Sequence, residues 1–433
     1  MNRPNSHRLT IARVVAATAV IGAGLLTPAS SSGYLSQQRW SATASGSTSF
    51  VGDPITLTWS LPPDGVPTSV SGVNKLLASL DKAFDVGGVP SDDLTTRPWF
   101  PLLQSAVERW SELSGVRMVY EPYDDCAIIG PSGGVLGVRG DVRIGGHTLN
   151  GAGGALALSN FPNSGDVLLD TADIAFLTLP GENYLRLRNV LTHEVGHALG
   201  LGHVESDDSN SLMEPQLHLS FDGPQIDDIR GMHWMYGDVN EWANGGRGND
   251  FRELATPLGA LSAGISLGVG FDAAKTDAID AADRDFVSIT STSDRDFYVF
   301  STDAPLRAEL TLTPLGGTYH QGLPGGDQSL IDASARGNLY FELFNADSEG
   351  VLATANSAHA GAAESLTIDL ATPGDYVVRV ASSFHAVQLY QLELQATPIG
   401  GASTPITPEP TSLAVAAIAL TTASGSLSYR CVG

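Results

Sequence analysis

The chain has 433 residues, with 23 Lys and Arg against 47 Asp and Glu, and so a formal charge of −24. That balance excludes nucleic acid as the main partner, because phosphate binding needs a basic face. The length suggests roughly two to three domains, and the two cysteines, Cys126 and Cys431, cannot make a disulfide scaffold, so an exported form must rely on cores or metal ions.

Residues 1–33 run from Arg3, Arg8 and Arg13 through the apolar stretch Val14 to Leu26 into small residues ending at Gly33. This is the order of a secretory signal peptide, and the apolar run is shorter than the ~20 residues that span a bilayer. Residues 34–50 are rich in Ser, Thr and Gly and read as a linker. Ile55 to Leu61 alternates like a half-buried strand. Leu102, Leu103, Ala106, Val107, Trp110 and Leu113 recur at helical spacing before Gly115, and Val116 to Tyr120 reads as the next strand. Dense glycines from Ile128 to Gly165 predict short strands and tight turns. Asn189 to Leu199 and Gln225 to Tyr236 read as two further helices. After a Gly-rich linker at 239–254, helical periodicity stops and alternating runs begin, among them Asp296 to Phe300, Leu339 to Phe344 and Leu389 to Leu394. They predict an all-β sandwich over 255–397. A Pro/Thr-rich linker at 398–412 and a short apolar segment within 413–433 follow.

The chemistry is carried by His193-Glu194-Val195-Gly196-His197-Ala198-Leu199-Gly200-Leu201-Gly202-His203. Histidines four apart on a helix project from one face and share one metal ion, with Glu194 beside them. Gly200 can end the helix in a left-handed turn and let the chain deliver His203 as a third ligand. Three imidazoles with an open fourth position describe a catalytic zinc site, in which Glu194 is placed as general base.

This segment resembles the zinc signature of the metzincin peptidases, and its Ala198 to Gly202 stretch resembles the matrixin branch. The resemblance implies an α+β catalytic domain over 51–238, a twisted mixed sheet with an active-site helix, and a methionine turn at Met213. Asn150-Gly151-Ala152-Gly153-Gly154-Ala155-Leu156-Ala157 resembles a matrixin calcium loop entering the strand that lines the cleft. By that likeness Asp170 and Asp173 bind Ca²⁺ together with oxygens of Asn150, Gly151 and Gly153, and substrate lies along Ala155, Leu156, Ala157, Leu158 and Ser159. Two departures stand out. Leu158 and Leu168 occupy positions where matrixins have histidines for a structural zinc, leaving His147 alone, so one zinc is expected. No cysteine precedes Cys126 to act as the family's latency switch.

Residues 255–397 resemble the bacterial pre-peptidase C-terminal domain, through Asp294 to Phe300, Leu339 to Asn345 and Gly374 to Val380. Pro408-Glu409-Pro410, the apolar segment and Arg430 resemble a PEP-CTERM sorting tail, which implies exosortase processing and a place at the cell envelope or in the extracellular matrix. The first reading is an exported zinc endopeptidase acting on protein or peptide. The other is an envelope-associated binding or adhesion protein that keeps a metzincin fold without proteolysis.

Overall fold

The computed structural model describes residues 33–399, apart from 48–49, 89–90, 209 and 276. The readings of 1–33 as a signal peptide, Gly33 apart, and of 413–433 as a sorting tail lie outside the described residues, as does the 398–412 linker beyond residue 399. Among the described residues no helix is long and apolar enough to cross a membrane.

The first unit is an α+β layer structure. Strands β1 (Ile55–Ser60), β2 (Val116–Tyr120), β3 (Val142–His147), β4 (Ala157–Ser159) and β5 (Val167–Asp170) form one sheet in the order β2-β1-β3-β5-β4. All neighbours run parallel except β4, which lies antiparallel to β5 at the edge. Helices α1 (Leu76–Ala83), α2 (Phe100–Leu113), α3 (Leu185–Leu199) and α4 (Ile226–Tyr236) complete it. The amphipathic stripe of α2 buries Leu103, Val107 and Trp110 in a core shared with Leu57 and Trp59 of β1 and with Val190 and Val195 of α3. The indole of Trp110 donates to Thr192 O at 2.9 Å, and the Thr192 hydroxyl donates to Ala106 O at 3.1 Å, so α2 fixes the height of α3.

Three sequence readings need adjustment. Helix α3 starts at Leu185, before Asn189, because Leu185 and Leu187 are also buried. The cleft-lining strand is confined to Ala157–Ser159, with Ala155 and Leu156 leading into it. Residues 34–40 are a packed strap, since Trp40 is buried and its indole donates to Ala198 O at 2.8 Å, while Gln37 N–H donates to Gly200 O and Gly202 N–H to Leu35 O.

The second unit is a β-sandwich. Its strands are β6 (Thr256–Ala260), β7 (Ser266–Val269), β8 (Val287–Ile289), β9 (Arg295–Thr302), β10 (Leu306–Leu315), β11 (Thr318–Gln321), β12 (Ser329–Asp332), β13 (Leu339–Asn345), β14 (Val351–Ala355), β15 (Glu364–Leu370), β16 (Gly374–Ser382) and β17 (Gln388–Pro398). One sheet runs β8-β17-β10-β15, with β7 also on β17, and the other runs β14-β13-β16-β9-β6. Their facing sides bury Tyr298, Phe300, Leu310, Phe341, Val378 and Leu392. The hairpin β11–β12 stands apart from both sheets.

The two units share a core. Leu113 and Ile229 of the first pack with Ala273, Ile279, Phe286 and Leu389 of the second. Arg109 donates to the carbonyls of Asp280 and Asp283 at 2.8 and 2.9 Å, and Gln225 and Ile279 bond each other through main chain and side chain. The stretch 239–254, read from its glycines as a linker, is folded into this junction. Asn249 is buried and exchanges bonds with Phe297, and Arg295 N–H donates to Asp250.

That junction gathers Asp238, Glu241, Asp250, Asp294 and Asp296. Burial, with neighbouring carboxylates adding to it, pushes Asp238 up to about 7 and Asp294 up to about 6, and raises Glu241 and Asp296 as well. An acid whose folded pKa is raised holds its proton in the folded state, so its contribution to stability falls as pH climbs from the unfolded value towards the folded one. His193, His197, His203 and His233 titrate oppositely, but the charge they carry in the unfolded state is half gone at about pH 6.5 and nearly absent by about pH 8. With a chelator present, so that no multivalent cation offsets the carboxylates, the thermal midpoint is therefore expected to fall between about pH 6.5 and about pH 8. Glu241→Gln should flatten that slope. A midpoint that rises across the window would refute this account of the junction.

Candidate metal centre

Helix α3 carries two of the three histidines. It ends because Gly200 takes φ +115°, and a Cβ there would lie 2.0 Å from Gln38 O in the strap, so the position demands glycine on two counts. The chain then turns back and brings His203 against His193 and His197. The three Nε2 atoms stand 3.0, 3.1 and 3.0 Å apart. Among the described residues, these three form the group of His, Cys, Asp or Glu whose ligand atoms gather closely enough to hold one metal ion.

The protonation of the cluster follows from its outer partners. His193 Nδ1 lies 2.6 Å from Leu212 O, and His197 Nδ1 lies 2.7 Å from Leu201 O. A carbonyl only accepts, so both Nδ1 atoms carry the proton and both Nε2 atoms point bare lone pairs into the centre. Burial first, and the adjacent imidazoles second, lower His193 well below its usual value and bring His197 down to about 3; burial lowers His203 to about 4. Two bare lone pairs, with His203 Nε2 brought against both, make a pocket of nitrogen ligand atoms suited to a cation. The donor set and spacing fit zinc, whose bonds to nitrogen are about 2.0–2.1 Å.

Glu194 follows His193 on the helix and is fully buried, and neither carboxylate oxygen has a hydrogen-bond partner. Burial raises its pKa well above the ordinary carboxylate value. An unpaired buried carboxylate costs stability, and this one lies beside the histidines.

Below the cluster lies Met213, 2% exposed. Gly196 lets it approach: a Cβ at 196 would meet Met213 Sδ at 2.7 Å and Trp110 Cζ2 at 3.1 Å. Gly196→Ala is therefore expected to cost about 1–3 kcal/mol through overpacking and to displace the methionine, read as a lower denaturant midpoint. An alanine variant as stable as the parent would show that the methionine has room to move.

The turn holding Met213 depends on a residue that the sequence did not single out. Asp228, buried in the first turn of α4, accepts from Ser211 Oγ at 2.6 Å, Leu212 N at 2.6 Å, Met213 N at 3.2 Å and Gln225 N at 2.8 Å. Since Leu212 O in turn accepts from His193, Asp228 braces a metal-facing imidazole from two bonds away. Its one sequence signal is an acid at the third position of a helix, which normally reads as a capping box.

The other expected site residues fall around this centre. Strand β4 is an edge strand, paired on one side by β5. Leu158 and Leu168 stand directly opposite each other across β4 and β5, and Leu168 packs with Val66 and Ile129. His147 is buried, with Nδ1 2.8 Å from Thr148 O and Nε2 unpartnered. The loop 150–153 comes to Asp170 and Asp173, but the contacts are amide to carboxylate: Asn150 N to Asp170 at 3.2 Å and Gly153 N to Asp173 at 2.9 Å. Asp173 Oδ2 is buried without a partner.

Known proteins are similar over this part of the chain. Residues 102–237 match the Matrixin family. The chain is 35% identical over 107 residues to matrix metalloproteinase-25 of Mus musculus, covering 23% of this chain and 17% of that protein. It is 31% identical over 134 residues to metalloendoproteinase 5-MMP of Arabidopsis thaliana, covering 27% and 36%. Metalloendoproteinase 1-MMP of the same plant is 28% identical over 169 residues, covering 37% and 43%. The chain thus spans less than half the length of each of these relatives. A solved pre-peptidase C-terminal domain of a Bacillus anthracis collagenase aligns with 33% of this chain and 94% of its own, at 11% identity and a TM-score of 0.20, which decides nothing about the sandwich. The family match and the geometry of the histidine cluster agree: over residues 102–237 the chain is similar to a matrixin domain.

Proposed function

We propose that the protein is an exported zinc-dependent endopeptidase of the matrixin type. The observation that carries this reading is the set of three Nε2 atoms 3.0–3.1 Å apart, beside a buried Glu194 with no partner of its own. Zinc, when bound by His193, His197 and His203, supplies a Lewis acid that polarises an attacking water and the scissile carbonyl. Glu194, whose proton affinity is raised by burial, accepts a proton from that water and passes it to the departing amine nitrogen. The free edge of β4 offers an extended substrate main-chain hydrogen bonds that are largely independent of sequence. Calcium at Asp170 and Asp173, export by the 1–33 leader, a pre-peptidase C-terminal role for the sandwich and envelope sorting by the tail belong to the same proposal.

Removing the metal tests it. Treating the full chain with a chelator is expected to abolish cleavage of an unfolded protein, and stoichiometric zinc is expected to restore it. Cleavage that survives the chelator would contradict the metal mechanism, and a chain that holds zinc but never cleaves would favour the binding or adhesion role.

A further inference from the structure

His193 and His197 are held twice over, by a buried helix and by a carbonyl on each Nδ1. His203 has neither. It lies on a loop, half-buried, and among the described residues no carbonyl is recorded on its Nδ1. Its position therefore depends on the main chain on either side. Upstream, Gly202 N–H donates to Leu35 O in the strap at 2.7 Å, and downstream Val204 N–H donates to Met213 O at 3.2 Å.

Beyond Val204 the chain leaves the matrixin domain for its support. Glu205 forms an antiparallel bridge with Gly322, at the end of β11, through reciprocal main-chain bonds of 2.9 and 3.0 Å. Ser206 Oγ donates to His320 O at 2.6 Å, and Asp208 accepts from His320 N at 2.7 Å and faces its Nδ1 at 3.0 Å. Asp207 N–H donates to Gln328 Oε1 at 3.2 Å, and Gly325 N–H donates to Glu205 Oε2 at 2.8 Å. The hairpin is itself anchored to the domain, because the Tyr319 hydroxyl donates to Asp227 of α4, which also pairs with Arg230 at 2.6 Å. Residues 205–208 are thus bound to a hairpin of the sandwich by one bridge and by side-chain bonds, beginning two residues after a metal ligand.

A ligand side chain must be held within about 0.5 Å to bind metal well. A loop anchored by few bonds opens at little cost, so each additional clamp next to the ligand raises the fraction of time the site is complete. We propose that the C-terminal sandwich is a positioning part of the metal centre: hairpin β11–β12 clamps residues 205–208 and thereby fixes His203. This rests on the zinc reading above and goes beyond it, since it gives the second unit a task inside the catalytic one.

The test measures zinc affinity of the full chain by competition with a chromogenic chelator. The pair Ser206→Ala with Asp208→Ala is expected to weaken zinc about tenfold, as loss of outer support for a metal ligand typically does. The pair Ser206→Thr with Asp208→Asn keeps a hydroxyl donor and a carbonyl acceptor and is expected to stay within about twofold of the parent. Thermal unfolding of the metal-free alanine pair should match that of the metal-free parent, which a merely stabilising contact would not allow. Should the alanine pair not fold, His320→Ala with Gln328→Ala removes the hairpin's side-chain share of the clamp, His320 Nδ1 on Asp208 and Gln328 Oε1 on Asp207 N–H, and is expected to weaken zinc in the same direction by a smaller factor. Alanine variants that bind zinc like the parent, or conservative variants that lose as much as the alanine ones, would overturn the proposal. A parent chain that binds no zinc would instead overturn the endopeptidase reading.

Discussion

Glu194→Gln is expected to lower peptide-bond cleavage by about a thousandfold while leaving the zinc in place, because a positioned general base contributes about 10²–10⁴-fold. Glutamine keeps the volume and removes the charge. Since neither oxygen of Glu194 has a partner and the group is fully buried, no hydrogen bond is lost. Burial already favours the neutral carboxyl, and the amide replaces one unpaired neutral polar group by another of like size, so the metal-free variant should be about as stable as the parent. That combination, lost turnover with retained metal and retained thermal midpoint, separates a catalytic role from a structural one. A variant that cleaves at the parental rate would remove Glu194 from the mechanism. One that loses stability along with activity would mean that the carboxylate is bonded in solution.

The second large effect is expected at Asp228. Alanine there strands the Ser211 hydroxyl and the main-chain donors of Leu212 and Gln225, all buried, and leaves Met213 N–H on Ser211 Oγ alone. Bonds to a charged acceptor contribute about 1.5–3 kcal/mol each, and they do not add fully, so Asp228→Ala should cost about 4 kcal/mol in denaturant unfolding. The damage should also reach the metal. With the turn loosened, Leu212 O no longer fixes His193 Nδ1, and zinc affinity is expected to drop about 10- to 100-fold. Asp228→Asn keeps one acceptor oxygen and should fall between. If zinc binds the alanine variant as tightly as the parent, Met213 and Leu212 are held by something other than Asp228.

The contrast between Glu194 and Asp228 shows what a sequence can disclose. The three histidines and Glu194 lie within eleven consecutive positions, and helical periodicity followed by one glycine turn dictates their meeting. Asp228 is 15–17 positions from the groups it holds, and an acid near a helix start has an ordinary explanation. The same limit hid the strap. Residues 34–40 sit in a Ser-, Thr- and Gly-rich stretch whose composition reads as a linker, and the burial of Trp40 against α3 is visible once the fold places Ala198 beside it. Asn249 and Asp250 were masked by their glycines for the same reason.

The β-sandwich was legible because alternation over six or more residues marks a half-buried strand without reference to its partners. Its docking was not. The bonds from Arg109 to Asp280 and Asp283, and from Ser206 to His320, span 171, 174 and 114 positions, and nothing local in either segment announces them. Helix α1 was missed on different grounds. It is eight residues long, with Leu76 and Leu80 as its buried positions, too short a run for periodicity to separate from a turn.

We expect His193, His197 and His203 to hold one zinc ion, and Leu158 and Leu168, facing each other across β4 and β5, to leave no second one. Elemental analysis of the purified full chain, freed of loosely bound metal, addresses both halves at once. One zinc per chain, lost in His203→Ala, is the predicted result. A parent chain without zinc would contradict the assignment of the cluster, and two zinc ions per chain would contradict the reading of Leu158 and Leu168.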